Sequence, residues 1–180
     1  MTRPEESNAS RLSSIRAGVL GAGDGIVSVA AVIVGMAAAS NSKTAVVTAG
    51  LAALFAGMVS MGSGEYTSVS TQRDSELELI KTGDMDADDV VEPWNAAIAS
   101  AASFFLGAIP PMLALLLTPH SWRLAAVFGS VLIALAVTGS VSARLGDVPV
   151  GRPTVRVIAG GVIAMAATFL LGRLVGTTGT

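Results

Sequence analysis

The sequence predicts an all-α membrane protein with five transmembrane helices. Three observations support this fold class: 52% of the 180 residues are hydrophobic, only 13% are charged, and long stretches carry no charge at all. Soluble domains carry about 25% charged residues, roughly twice the fraction found here. Each long apolar stretch is near the ~20 residues that a helix needs to cross the hydrocarbon core of a bilayer.

The polar segment 1–14 precedes a transmembrane domain that we assign to residues 15–176. Its five predicted spans cover residues 16–39, 45–70, 94–117, 123–144 and 154–175. The second span becomes less apolar towards its end, so we expect its last turns to emerge into water. The longest connection is an acidic linker over residues 72–93, and the other connections are short.

Composition also limits the chemistry that this chain can perform. The net charge of -2 argues against a nucleic-acid partner, and the absence of cysteine excludes disulfides and thiolate metal sites. The single histidine, His120, lies in a short connection, so a histidine-built zinc centre is excluded as well. We find no catalytic triad and no phosphate-binding loop, and we therefore expect neither an enzyme nor a bound cofactor. Any metal must be held by carboxylate, carbonyl, hydroxyl or thioether groups.

The distribution of Lys and Arg predicts how the chain is oriented in the membrane, because these residues concentrate in cytoplasmic segments. An N-in, C-out topology places eight of them inside and three outside. The inner set is Arg3, Arg11, Arg16, Arg73, Lys81, Arg144, Arg152 and Arg156, and the outer set is Lys43, Arg123 and Arg173. The segment 1–14 and the acidic linker are then cytoplasmic.

Small residues recur at spacings that favour close helix packing in lipid, as in Gly21 with Gly25 and Gly172 with Gly176. Five spans make a thin bundle, and a site inside it would be better enclosed by a second copy. We therefore expect a homodimer.

Two carboxylates lie inside predicted spans, Asp24 in the first and Glu65 in the second. Charged groups at this depth are expensive and usually functional. Met58, Met61 and Glu65 are spaced by three and four residues, which puts them on one helix face. Counting residues from the inner ends of the two spans predicts that Asp24 lies opposite Met61, with Glu65 about one turn nearer the cytoplasm. No Lys or Arg is expected at the depth of Asp24.

This combination of carboxylates and thioethers indicates a site for a divalent metal ion. Thioether sulfur is a soft ligand that favours Fe²⁺ or Mn²⁺ over Mg²⁺. Buried carboxylates that are protonated when no metal is bound would release their protons when a metal ion enters, which predicts proton-coupled exchange. The alternatives are ordinary ones: methionines often only fill space in a helix bundle, and a glutamate near the interface can extend its carboxylate to water.

Three sequence blocks carry a resemblance to a known family. They are Asp24-Gly-Ile-Val-Ser28, then Ser60-Met-Gly-Ser-Gly-Glu-Tyr66 with the following Ser68–Glu76, and Pro93-Trp-Asn-Ala-Ala-Ile-Ala-Ser100 leading to Pro110. With these blocks the chain resembles the vacuolar iron transporter family over about residues 15–175. The second-span block is the most specific part.

The resemblance implies a five-helix homodimer that exports Fe²⁺, and sometimes Mn²⁺, from the cytosol against protons through a pathway at the dimer interface. It also implies that Asp24 and a span-two methionine line this pathway. Met61 occupies the matching Ser-Met position, with Met58 one turn away, and Glu65 matches the glutamate of the family's Gly-Glu-Tyr motif. The metal site residues predicted in this way are Asp24, Met58, Met61 and Glu65.

The chain departs from the iron-storing branch of that family in its linker. That branch carries a long helical cytoplasmic domain with metal-binding glutamates and methionines, whereas the linker here has about 20 residues and one methionine, Met85. The resemblance is therefore to the short, nodulin-21-like branch. The linker acids Asp74, Glu76, Glu78 and the cluster Asp84–Asp89 are expected to attract cations without forming a defined site.

Two other functions remain open at this point. One is a passive channel for divalent cations, and the other is a membrane scaffold that transports nothing. A scaffold would not require Asp24 and Glu65 at depth without counter-charges. The short loops and the Ala, Gly and Val content favour a bacterial plasma membrane, and a eukaryotic chain of this kind would lie in the vacuolar membrane.

Overall fold

The computed structural model describes residues 8–82 and 90–178, and this part of the chain is helical with no strand. The helices are α1 (Asn8–Ala39), α2 (Lys43–Thr82), α3 (Pro93–Leu117), α4 (Arg123–Leu145) and α5 (Gly151–Thr178). A single 3₁₀ turn, His120–Trp122, precedes α4. All five helices are long and apolar enough to cross a membrane, so the predicted five-helix fold class is confirmed.

Helix α1 is the central element, because it packs against each of the other four helices. Its residues Val29, Ala30, Ile33 and Val34 are completely buried in the main core. Helix α2 lies at the edge of the bundle, where it packs against α1 and α3. Much of the surface of α2 is therefore open in a single chain.

Glycines allow α1 and α3 to touch through their backbones. A Cβ atom at Gly21 would collide with the carbonyl oxygen of Ser100, and one at Gly25 would collide with that of Phe104. Gly172 of α5 approaches α1 in the same way. The predicted role of these small residues in close helix packing is thus seen in the structure.

Helix α2 is longer than the sequence indicated. Its 40 residues span about 60 Å, twice the ~30 Å of a hydrocarbon core. The helix continues to Thr82, so the first half of the segment assigned as linker is helical. Rising polarity marks the end of the membrane but not the end of a helix, since Glu, Leu and Lys are good helix formers. Asp84, Asp86, Asp88 and Asp89 lie outside the described residues.

Residues 90–92, which lead into α3, are held against the last part of α2, residues 71–82, which we call the extension of α2. The buried carboxylate of Glu76 accepts hydrogen bonds from the Val91 N–H at 2.9 Å and from Gln72 Nε2 at 2.8 Å. Arg73 forms an ion pair with Glu92 at 2.8 Å. A small second core of Ala17, Val69, Val91 and Ala96 lies next to these contacts. We call this end of the bundle, where α1 begins and α2 ends, the linker end.

Replacement of Gly25 tests the backbone contact between α1 and α3. We expect Gly25→Ala to destabilise the protein by about 1–3 kcal/mol, because the added methyl group forces the helices apart. Thermal unfolding of the purified protein in detergent would measure this. The matched control is Gly23→Ala, where a Cβ atom meets nothing within 4 Å. Equal melting temperatures for the two variants would contradict the expected packing.

Replacement of Glu76 tests the tie between α2 and the returning chain. Glu76→Ala leaves the buried Val91 N–H without an acceptor, which should cost about 1–3 kcal/mol of stability. The control is Glu78→Ala, since the Glu78 side chain is 71% exposed and its ion pair within the described residues is with the exposed Lys81. Thermal unfolding should separate the two variants, and a control as unstable as Glu76→Ala would refute the assignment.

Candidate functional site

One face of α2 carries three of the four predicted site residues towards α1 and α3. Leu54 and Val69 of this face are buried, and Met58 and Met61 between them pack against the main core. Glu65 follows on the same face, and its side chain is 12% exposed. We refer to Met58, Met61 and Glu65 as the α2 ladder. The helix places this ladder inward because Gly57 and Gly62 on the same side allow close contact with Phe104 and Ala101 of α3.

Two contacts fix the register between the antiparallel helices α1 and α2. A Cβ atom at Gly50 would lie 3.1 Å from Ile33 of α1, and Arg16 of α1 contacts Glu65. Counting along both helices from these contacts puts Asp24 level with residues 57–59 of α2. Met58 is therefore at the depth of Asp24, and Met61 lies about one turn nearer the linker end. The depth count from the sequence favoured Met61, because it assumed that the two spans end at the same level.

Asp24 is exposed in the single chain. The hydroxyl of Ser28, one turn along α1, lies 2.7 Å from both the Oδ1 atom and the backbone oxygen of Asp24. Within residues 8–82 and 90–178, no Lys or Arg forms an ion pair with Asp24. The charge of this carboxylate is therefore not neutralised by the described part of the chain.

Glu65, in contrast, has a counter-charge that the sequence did not reveal. Nη2 of Arg16 lies 3.8 Å from Oε1 of Glu65. This oxygen is buried and has no hydrogen-bond partner in the described part of the chain. The expectation that Glu65 lies at depth without a counter-charge is thus not met. A signal was present, because Arg16 begins the first predicted span and its long side chain reaches inward.

A row of hydroxyl groups runs along an exposed side of α2. Ser63, Thr67, Thr71 and Ser75 each donate a hydrogen bond to a backbone oxygen three or four residues earlier, at 2.9–3.1 Å. Their oxygens keep free lone pairs as acceptors. The row is exposed in the single chain, so it is available to water, to an ion or to a second protein surface.

The four predicted residues do not form a closed chelating site in one chain. Among the residues that the structure describes, no three His, Asp or Glu side chains converge on one point. A cavity of about 560 Å³ between α1, α3 and α4 is lined mostly by apolar residues such as Ile26, Leu106 and Ile133, and by none of the four. The candidate site is therefore distributed along α1 and α2 rather than enclosed in a pocket.

The fold defines an integral membrane protein with two carboxylates, Asp24 and Glu65, on its long apolar helices. Residues 15–85 and 76–173 match the VIT family. The chain belongs to this family, and the resemblance inferred from the sequence blocks is confirmed.

Relatives are similar to this chain over most of their own length. "Vacuolar iron transporter homolog 1" of Arabidopsis thaliana is 39% identical over 171 residues, covering 93% of this chain and 86% of that protein. "Vacuolar iron transporter homolog 5" of Oryza sativa subsp. japonica is 41% identical, covering 95% and 85%. "VIT-like transporter 1b" of Glycine max is 38% identical, covering 93% and 79%. Transporters as relatives fit the expectation of a protein that is not an enzyme.

Proposed function

We propose that this protein is a secondary transporter that exports Fe²⁺ or Mn²⁺ from the cytosol in exchange for protons. The observation that carries the proposal is the α2 ladder, which puts a carboxylate and two thioethers on one inward face, with Met58 level with the unneutralised Asp24. The names of the relatives support iron as cargo. The softness of the thioethers supports Fe²⁺ or Mn²⁺ over Mg²⁺.

The depth difference between the two carboxylates favours stepwise transfer of the ion. Asp24 is level with residues 57–59, and Glu65 lies about seven residues further along α2, which is about 10 Å. One metal ion cannot contact both groups at that separation. Glu65 would receive the ion at the linker end, Met61 would lie between the two levels, and Asp24 with Met58 would form the deeper station.

A homodimer would complete the deeper station. A carboxylate that faces lipid is costly, and a second copy packed on the exposed side of Asp24 would remove that cost. A pathway at the interface would then hold one Asp24 from each chain and could use the exposed hydroxyl row of α2. In the proposed exchange, the metal ion and protons would occupy these carboxylates in turn, so that metal moves one way and protons the other.

The proposed orientation is N-in, with the linker end in the cytoplasm. It follows from the Lys and Arg distribution, which favours the linker end by eight to three. The proposed location is the plasma membrane for a bacterial chain and the vacuolar membrane for a eukaryotic one. In both cases metal leaves the cytosol.

Replacement of Asp24 tests the transport proposal. In liposomes that contain a metal-sensitive dye and a pH dye, the native protein should carry Fe²⁺ or Mn²⁺ with opposite proton flow. Asp24→Asn should abolish this flux, because the amide keeps the size of the side chain but loses the charge. The control is Asp74→Asn, an exposed acid on the extension of α2, which should keep most of the flux.

Each alternative function gives a different result in the same liposomes. Metal flux that ignores the pH gradient would identify a passive channel. Native protein that carries neither metal would contradict transport altogether and favour a membrane scaffold.

Replacement of the methionines tests whether sulfur contributes to metal selection. Met58→Leu and Met61→Leu preserve volume but remove the thioether. We expect Met58→Leu to weaken the apparent affinity for Mn²⁺ by about tenfold, at the lower end of changes around metal sites. Met61→Leu should have a smaller effect, because Met61 lies one turn from the level of Asp24. The control is Met165→Leu, which changes a methionine buried in the core. Equal Mn²⁺ affinities in all three variants would show that Met58 and Met61 serve only in packing.

A further inference from the structure

Arg16 and Glu65 form the one ion pair between α1 and α2 in the described segments 8–82 and 90–178. The two side chains differ strongly in exposure, 68% for Arg16 and 12% for Glu65. The guanidinium group therefore reaches a buried carboxylate from the open side of the bundle. Such an arrangement leaves the arginine free to move while the glutamate stays in place.

The contact is loose for an ion pair with one buried partner. Its 3.8 Å separation exceeds the 2.7–2.9 Å of a charge-assisted hydrogen bond. The Oε1 atom of Glu65 is buried and receives no hydrogen bond from the described residues. Arg16 thus balances the charge of Glu65 without satisfying its oxygen. A metal ion at this oxygen would gain a ligand and would break no hydrogen bond.

We propose that Arg16 is a tethered counter-ion that neutralises Glu65 when no metal is bound and is displaced by an entering divalent cation. The inference rests on the proposed role of Glu65 as the first station for the ion. Arginine stays protonated in proteins, so it leaves the carboxylate by movement and not by loss of its proton. Its exposed side chain can withdraw into water on the linker side.

A tethered guanidinium gives the entrance a preference for divalent ions. A short tether holds the competing charge at an effective concentration of millimolar or more. A monovalent cation offers Glu65 no more charge than Arg16 already supplies, whereas a divalent cation offers twice as much. Arg16 is therefore a positioning residue that raises the concentration of cation needed to occupy Glu65.

Replacement of Arg16 in the full-length reconstituted protein tests this role. Arg16→Gln removes the competing charge and should lower the apparent KM for Mn²⁺ by about two- to fivefold at low ionic strength, the range for an ion pair with an exposed partner. The maximal rate should change little. Arg16→Lys should restore the native KM, because it keeps the tethered charge. The control Arg11→Gln removes an exposed charge from the same end of α1 and should leave KM nearly unchanged.

Ionic strength and a double variant separate this role from a structural one. The difference between Arg16→Gln and the native protein should shrink at high salt, because exposed charges are screened. In a Glu65→Gln background, Arg16→Gln should no longer change KM. An Arg16→Gln variant with lower thermal stability and an unchanged KM would show that the pair only holds α1 and α2 together, and would overturn the proposal.

Equilibrium binding of Mn²⁺ to the purified protein distinguishes failure of this inference from failure of the transport proposal. Tighter binding in Arg16→Gln supports the counter-ion role even if the native protein carries no metal across the liposome membrane. Transport with identical Mn²⁺ affinity in both proteins would refute the counter-ion role alone. Absence of binding of both Mn²⁺ and Fe²⁺, in the native protein and in Arg16→Gln, would refute both proposals.

Discussion

The close approach of α1 and α3 sets the position of the candidate functional residues. Gly21 and Gly25 bring the α1 backbone against α3, and Asp24 lies between them. The same stretch of α3 receives α2, because Phe104 fills the space left by Gly57. Helix α3 therefore acts as a common support that brings Asp24 and Met58 to one depth. A shift in the α1–α3 contact would move the two carboxylates relative to each other.

Asp24 and Glu65, the two acids within the predicted spans, illustrate two ways to hold a carboxylate in a membrane protein. Asp24 is exposed, and its carboxylate accepts a hydrogen bond from the hydroxyl of Ser28 on the same helix. No Lys or Arg among the described residues forms an ion pair with it. Glu65 is largely buried and is neutralised across a helix contact by Arg16. An uncompensated charge in hydrocarbon is costly, so the exposed Asp24 implies a further neighbour, and this is the physical basis of the proposed dimer. Glu65 requires no such neighbour.

The sequence was sufficient to predict the five helices, because their hydropathy indicates them directly. It was also sufficient to predict the shared face of Met58, Met61 and Glu65, because their spacing follows the 3.6-residue period of a helix. It was insufficient for two features. The continuation of α2 to Thr82 was not predicted, because helix propensity persists after hydropathy falls. The contact of Arg16 with Glu65 was not predicted either, because residue counting gives the depth of backbones and ignores the reach of a long side chain.

The position of Arg16 also bears on the direction of transfer between the two proposed stations. An ion that has moved from Glu65 to the level of Asp24 leaves the buried Glu65 carboxylate uncompensated. Arg16 lies close enough to neutralise it again at once. The returned guanidinium would then place a positive charge behind the ion, about 10 Å away, and the two cations repel each other. Re-formation of the Arg16–Glu65 ion pair would therefore oppose return of the metal ion from Asp24 to Glu65. A carboxylate without a tethered cation would bind the returning ion again.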